Sequence, residues 1–242
     1  MRRWSVLIAL LVALLGLTVW ITSMDKVGIY SVATWETLAN ETMNHLEMVF
    51  IAVLIAISIG VPLGILITRP GFKKSALPVI GTAAVGQSIP SLAIIAIMLP
   101  LLGLGLRSAI VALVIYALLP VLRNSYAGIR KIDPAIIEAA RGMGMNRTQI
   151  ARKIELPLAR PVIMAGIRIC TVITVGTAEL AVLVGGKGLG AITFKGVFAM
   201  EPLLILQGAA PTALLAIALG FMFERIESWM TPRGLKVEAE IA

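Results

Sequence analysis

Six apolar runs, each bounded by charge or by Pro/Gly clusters, constrain this chain more than any other feature; they cover 4–21, 46–68, 77–102, 108–122, 161–184 and 203–223. A helix that crosses a bilayer needs about 20 mostly apolar residues, because lipid offers no partner to backbone polar groups and a helix satisfies them internally. Six such helices take roughly half of the 242 residues. With 59% hydrophobic and 14% charged residues, the chain carries more apolar side chain than one water-soluble core of this length buries. The sequence therefore predicts an all-α, polytopic membrane protein of about six transmembrane helices in one compact unit. Arg2 and Arg3 ahead of the first run resemble the start of a signal peptide. The run exceeds a signal core, however, and Ser23-Met24-Asp25 offers no small-residue cleavage site, so 4–21 is read as an uncleaved span. Gly81, Gly86 and Pro90 break the third run.

Net charge is +8, and its placement decides its meaning. With the N-terminus inside, 17 of the 21 Lys and Arg residues fall on the cytoplasmic side, where Arg123, Arg130, Lys131, Arg141, Arg147, Arg152, Lys153, Arg160 and Arg168 form the largest group. Only Lys26, Arg107, Lys187 and Lys195 lie outside, and Asp25, Glu36, Glu41 and Glu47 make the first outer segment acidic. Both termini are thus expected in the cytoplasm. Topology accounts for the basic excess, and nucleic acid loses its support as a partner. A single Cys, Cys170, rules out an intrachain disulfide, and a single His, His45, rules out a His-rich metal site. There is no internal repeat, which weighs modestly against secondary transporters, whose halves are often repeated or inverted.

The longest cytoplasmic segment, 123–160, contains signals for two short helices. Asp133 caps the first through its carboxylate, Pro134 occupies the first turn, and Gly142 and Gly144 end it. Asn146 with Gln149 forms a capping-box pattern for the second, in which Ile150 and Ile154 share a face before Leu156-Pro157 closes it. By pattern alone this is an amphipathic hairpin on the lipid surface, with Arg147, Arg152 and Lys153 toward anionic headgroups.

The residues say more than the pattern: Glu138-Ala139-Ala140, three residues, Gly144, nine residues, Ile154, one residue, Leu156-Pro157. This resembles the EAA motif of ABC importer permeases, complete and between the same two spans. Gln87-Ser88-Ile89-Pro90-Ser91-Leu92-Ala93, Pro161-Val162-Ile163-Met164-Ala165-Gly166 and Gly185-Gly186-Lys187-Gly188-Leu189-Gly190 extend the likeness toward the osmoprotectant permeases for glycine betaine, carnitine and choline. The Thr231-Pro232-Arg233-Gly234-Leu235 block adds to it. The resemblance implies a type I ABC importer transmembrane domain in the bacterial inner membrane. It also implies a division into a first helix and outer segment over 1–45, a permease core over 46–225 with a coupling helix at about 133–157, and a tail over 226–242. It assigns Glu138, Ala139, Ala140, Gly144, Ile154, Leu156 and Pro157 to docking of a cytoplasmic ATPase. Small Ala139 and Ala140 suit close approach there, and Glu138 suits a basic partner residue. A second permease subunit, identical or homologous, and an extracytoplasmic solute-binding protein complete the implied assembly.

The chain has no phosphate-binding loop of its own. Before Gly186-Lys187, position 181 is Ala where the first Gly is required, and Gly188 follows where Ser or Thr is required. ATP and Mg are therefore expected on the partner ATPase, with no cofactor in this chain and no enzyme activity of its own. His45 reads as an interfacial residue and Cys170 as a small packing residue. No nucleophile with a general base is apparent.

Four residues are candidates for the translocation path. Glu179 is the one acid deep in a span, where a carboxylate is costly unless it faces water, a partner or a cation. It either lines the path or bonds a neighbouring span. Arg168, eleven residues earlier, is roughly 16 Å away along the helix and is expected to snorkel to the interface. Pro90 cannot donate to the Gly86 carbonyl, which leaves Gln87, Ser88 and Pro90 as a polar, unwound patch that either meets a passing solute or kinks the helix for packing. Aromatics are 5% of the chain and form no cage for a quaternary ammonium, which delegates tight recognition to the binding protein. The function expected is the permease subunit of an ATP-driven importer for a compatible solute. The rivals are an ABC permease for another small solute such as an amino acid, a proton-coupled carrier using Glu179, and a membrane scaffold.

Overall fold

Prolines and glycines decide where these apolar runs become separate helices. The computed structural model describes residues 2–23 and 33–230. Within it, α1 is Arg2–Ser23, α2 Trp35–Leu66, α3 Ala76–Ser88, α4 Ser91–Leu102, α5 Leu106–Arg130, α6 Pro134–Gly142, α7 Arg147–Ile150, α8 Leu156–Ala178, α9 Gly190–Ala199 and α10 Pro202–Met230. Asp25, Lys26 and the block at 231–235 lie outside the described residues. There is no strand among those described.

Among the described residues, four helical stretches are long and apolar enough to cross a membrane: α2, α5, α10 and the continuous Arg147–Val184. Lys73–Ser88 and α4 make a fifth if taken together, bent by 97° at the break before Ser91. With 13 and 12 residues, α3 and α4 are about 20 Å and 18 Å long, too short to span singly. The third apolar run is thus a sharply bent helix pair rather than one straight helix, and α1 carries the first run as a 22-residue helix.

Two boundaries differ from expectation. The Thr34 hydroxyl accepts the Thr37 N–H at 3.2 Å, so α2 starts at Trp35 rather than near 46, and its 32 residues reach about 48 Å. The acidic Glu36, Glu41 and Glu47 thus lie on the first turns of this helix, whose Leu38 packs with Leu189, Ile192 and Leu204. Nor does Leu156-Pro157 close a separate helix. Residues Ala151–Glu155 form a π turn in which the Leu156 N–H reaches back to the Ala151 carbonyl. The wider turn accommodates Pro157, which lacks a donor, and α7 runs on into α8 as one 38-residue stretch.

At the centre, α5 packs against α2, α3, α4 and α8. Small residues bring the backbones together: a Cβ on Gly64 would stand 2.6 Å from Ser125 Cβ, and one on Gly166 2.5 Å from Asn124 Cβ. Ala52, Ala56, Leu113, Ala117, Val121, Cys170 and Val175 fill this core, with Cys170 in a packing role. Gln207 of α10 is fully buried and ties α10 to α1 and to the segment just before α2. Its Oε1 accepts the Ala33 N–H at 2.7 Å, while Nε2 donates to the Ala33 carbonyl at 2.7 Å and to Thr22 Oγ1 of α1 at 3.1 Å.

Candidate functional site

The EAA segment is built by local hydrogen bonds. Asp133 accepts the Ala135 N–H at 2.8 Å and starts α6. After the helix, the Gly144 N–H donates to the Arg141 carbonyl at 2.9 Å and the Met145 N–H to the Ala140 carbonyl at 3.1 Å, a Schellman closure. That closure requires a left-handed residue, and Gly144 has φ +79°. Asn146 and Gln149 exchange bonds of 2.8 and 2.9 Å, completing the capping box and starting α7. The result is a short helix standing off the bundle. Ala140 is fully buried beneath it, whereas Glu138, Ala139, Ile136 and Met143 are exposed. Ile154, Leu156 and Pro157 are half-buried where the stretch enters α8. One further contact fastens the base: Arg69 Nη1, just past α2, lies 2.6 Å from Glu155 Oε2.

The bent pair α3–α4 is held by a reciprocal clamp. Pro120 in α5 has no N–H for the Tyr116 carbonyl four residues earlier. Gln87 Nε2 supplies the missing donor at 3.2 Å, and the Tyr116 hydroxyl donates to the Ile89 carbonyl at the elbow. Gln87 thus shapes the elbow by anchoring it to α5. Ser88 bonds the Ala84 carbonyl of its own helix at 2.9 Å and stays exposed beside exposed Pro90.

At the other end of α8, the helix tightens into a 3-10 turn over Glu179–Val184 whose first N–H turns to the Thr177 carbonyl. His45 Nε2 sits 3.1 Å from the Val175 carbonyl. His45 is fully buried rather than interfacial, because the Gly-rich loop covers it: a Cβ on Gly188 would lie 3.0 Å from Nδ1. The same loop is tied to α2 by Glu41 Oε2, which accepts the Gly188 N–H at 2.7 Å. Glu179 is half-buried and accepts the Thr212 hydroxyl of α10, so the acid has a bond to a neighbouring span. Gly190 packs so close that a Cβ there would meet the Glu179 carbonyl. Arg168 does not simply snorkel; it faces Glu227 and Glu224 of α10 at 3.7 and 3.8 Å. Gln87 and Glu179 are therefore placed in separate clusters, and neither joins the EAA segment.

Residues 60–235 match the family described as binding-protein-dependent transport system inner membrane component. The chain belongs to this family. It is 42% identical over 205 residues to the choline transport system permease protein OpuBB of Bacillus subtilis, covering 85% of this chain and 94% of that one. Over the same length and coverage it is 43% identical to the glycine betaine/carnitine/choline transport system permease protein OpuCB of Bacillus subtilis. Among solved structures, an inward-facing MetNI methionine ABC transporter chain superposes with a TM-score of 0.72 at 27% identity, covering 81% of this chain and 97% of that one. The fold is that of a type I ABC importer transmembrane domain, a membrane subunit rather than an ATPase.

In this inner membrane component, Tyr116, Thr212, Gln207 and the Arg69–Glu155 pair were not singled out from the sequence. Tyr116 had a signal, since Pro120 four residues later marks its carbonyl as free. The other contacts join residues far apart in the chain, and no local pattern marks them.

Proposed function

We propose that this chain is the permease subunit of an ATP-driven importer for a compatible solute such as glycine betaine, carnitine or choline. The observation that carries the reading is the complete EAA segment folded as an exposed helix, in a chain whose relatives at 42–43% identity are named as choline and glycine betaine/carnitine/choline permeases. The methionine likeness, at 27% identity, supports the fold more than the solute. Two permease subunits enclose the path, and an outer binding protein delivers the solute. Two cytoplasmic ATPases, which hold ATP and Mg, dock on Glu138, Ala139, Ala140 and Gly144. Ile154, Leu156 and Pro157 carry that contact into α8. The cation bias supports placement of both termini in the cytoplasm. Along the path, exposed Ser88 and Pro90 form a wall shaped by Gln87, and Glu179 stands near the outer end.

The test is uptake in proteoliposomes containing this chain with its native partners, ATP inside and no proton gradient. Choline or glycine betaine uptake is expected to require ATP, and Glu179→Gln is expected to retain it, since the amide still accepts from Thr212 and no proton need be carried. Uptake that needs a proton gradient and ignores ATP would refute the importer.

A further inference from the structure

Behind the EAA helix lies a pocket of about 530 Å³ that the coupling role leaves unexplained. Three pieces of chain enclose it: Arg69 and Pro70 beyond α2, Ile137 and Arg141 of α6, and the Arg147–Leu156 stretch that leads into α8. Four arginines line it, at 69, 141, 147 and 152, against one acid, Glu155. That acid is paired, because its Oε2 lies 2.6 Å from Arg69 Nη1. Arg141, Arg147 and Arg152 have no carboxylate partner among the described residues. Three guanidinium groups with five N–H donors each thus border one cavity without an anion.

Two features narrow the ligand. Guanidinium forks match phosphate oxygens in geometry and charge. The pocket also sits just past the end of α2, next to the end of the apolar run 46–68, which is the level expected for lipid headgroups on the side expected to carry most cations. On α6, Ile137 and Arg141 line the pocket, while Glu138, Ala139, Ala140 and Gly144, the residues assigned to docking, do not. A ligand in the pocket therefore leaves the docking face free.

We propose that this pocket binds the phosphate of an anionic phospholipid headgroup, with Arg141, Arg147 and Arg152 as its ligands and the Arg69–Glu155 pair as the fixed wall. The placement at the inner leaflet rests on the orientation given above. Binding measured in detergent does not depend on that orientation, so the two readings fail separately.

The experiment is native mass spectrometry of the full-length chain in mild detergent, titrated with phosphatidylglycerol or with phosphatidylcholine of the same acyl chains. Phosphatidylglycerol adducts are expected to persist where phosphatidylcholine adducts do not. Affinity should fall about fivefold for each arginine replaced by Gln, as expected for one basic side chain at an anionic surface. The Arg141→Gln/Arg147→Gln/Arg152→Gln variant should lose the preference, and Lys73→Gln/Lys74→Gln, outside the pocket, should keep it. If the triple variant fails to fold, Arg152→Gln alone should still show the single-step loss. Equal retention of phosphatidylcholine, undiminished phosphatidylglycerol binding by the arginine variants, or complete displacement by millimolar inorganic phosphate would overturn the lipid assignment. Loss of the adducts on adding the partner ATPase would overturn it as well, giving the arginines to a protein carboxylate.

Discussion

Replacing Gly144 separates two reasons for a glycine in the EAA motif. One is space for a docking partner; the other is backbone conformation. Beyond Gly144 and its two chain neighbours, no atom of this chain lies within 4 Å of where a Cβ there would stand, so crowding by the rest of the fold contributes nothing. The conformation does, because φ is +79°, and an L-residue in the left-handed region costs roughly 1–2 kcal/mol. Gly144→Ala should therefore shift the turn toward its open form about 5–30-fold. Gly144→Asn should shift it less, because a short polar side chain tolerates this region. Amide exchange at Met145, whose N–H closes the turn on the Ala140 carbonyl at 3.1 Å, reads the opening directly. ATP-driven uptake with native partners, measured on the same variants, reads the coupling. Uptake should fall in the order Gly, Asn, Ala, tracking exchange, and Gly144→Asp should lie below Asn if a charge also disturbs the dock. If Ala exchanges like wild type, the conformational account is refuted. If Ala and Asn impair uptake equally without changing exchange, space at the dock is the governing factor.

Two further outcomes are expected. Gln87→Ala leaves the Tyr116 carbonyl without its donor and should cost about 1–3 kcal/mol, seen as a lower Tm, whereas exposed Ser88→Ala should leave Tm unchanged and alter only the apparent solute affinity. In a Cys170→Ser background, Lys187→Cys should react with an impermeant thiol reagent from outside intact cells and Arg147→Cys should not; the reverse pattern would invert the orientation.

Those outcomes bear on how much of the molecule was legible in advance. Asp133, Pro134, Gly144 and the Asn146–Gln149 box were readable because each bond spans at most a few residues, and the structure forms all of them. Pro90 marked the elbow correctly, since a missing donor is a local fact. Pro157 misled for a related reason. Proline removes a donor wherever it stands, but whether the helix ends depends on the preceding turn, and a π turn absorbed the defect. His45 looked interfacial because the loop that buries it lies over a hundred residues away in the chain. The Thr212–Glu179 bond was hidden for the same reason.

The uninterrupted passage from α7 through the π turn to the end of the 3-10 turn yields the last prediction. Arg147–Val184 is 38 residues long, about 57 Å as an α-helix, enough to join the EAA segment to the Gly-rich loop at 185–190. Its lower part is fixed to the end of α2 by Arg69–Glu155, and its upper part to α2 and α10 by His45–Val175 and Thr212–Glu179. If α6 is the docking element proposed above, its displacement has a stiff element to act on, and stiffness at the π turn becomes a requirement for coupling. Lys153 lies in that turn with its side chain exposed, so Lys153→Ala removes the charge and keeps the helix, whereas Lys153→Gly removes the charge and weakens the helix by about 1 kcal/mol relative to Ala. The comparison between the two isolates stiffness from charge. Solute transported per ATP hydrolysed should be lower for Gly than for Ala, with total ATPase activity retained in both, because the motor still turns over while its stroke is lost in the softened turn. Equal transport per ATP in the two variants would show that force reaches the Gly-rich loop by another route, with α5, which packs against both α2 and α8, the element to test next.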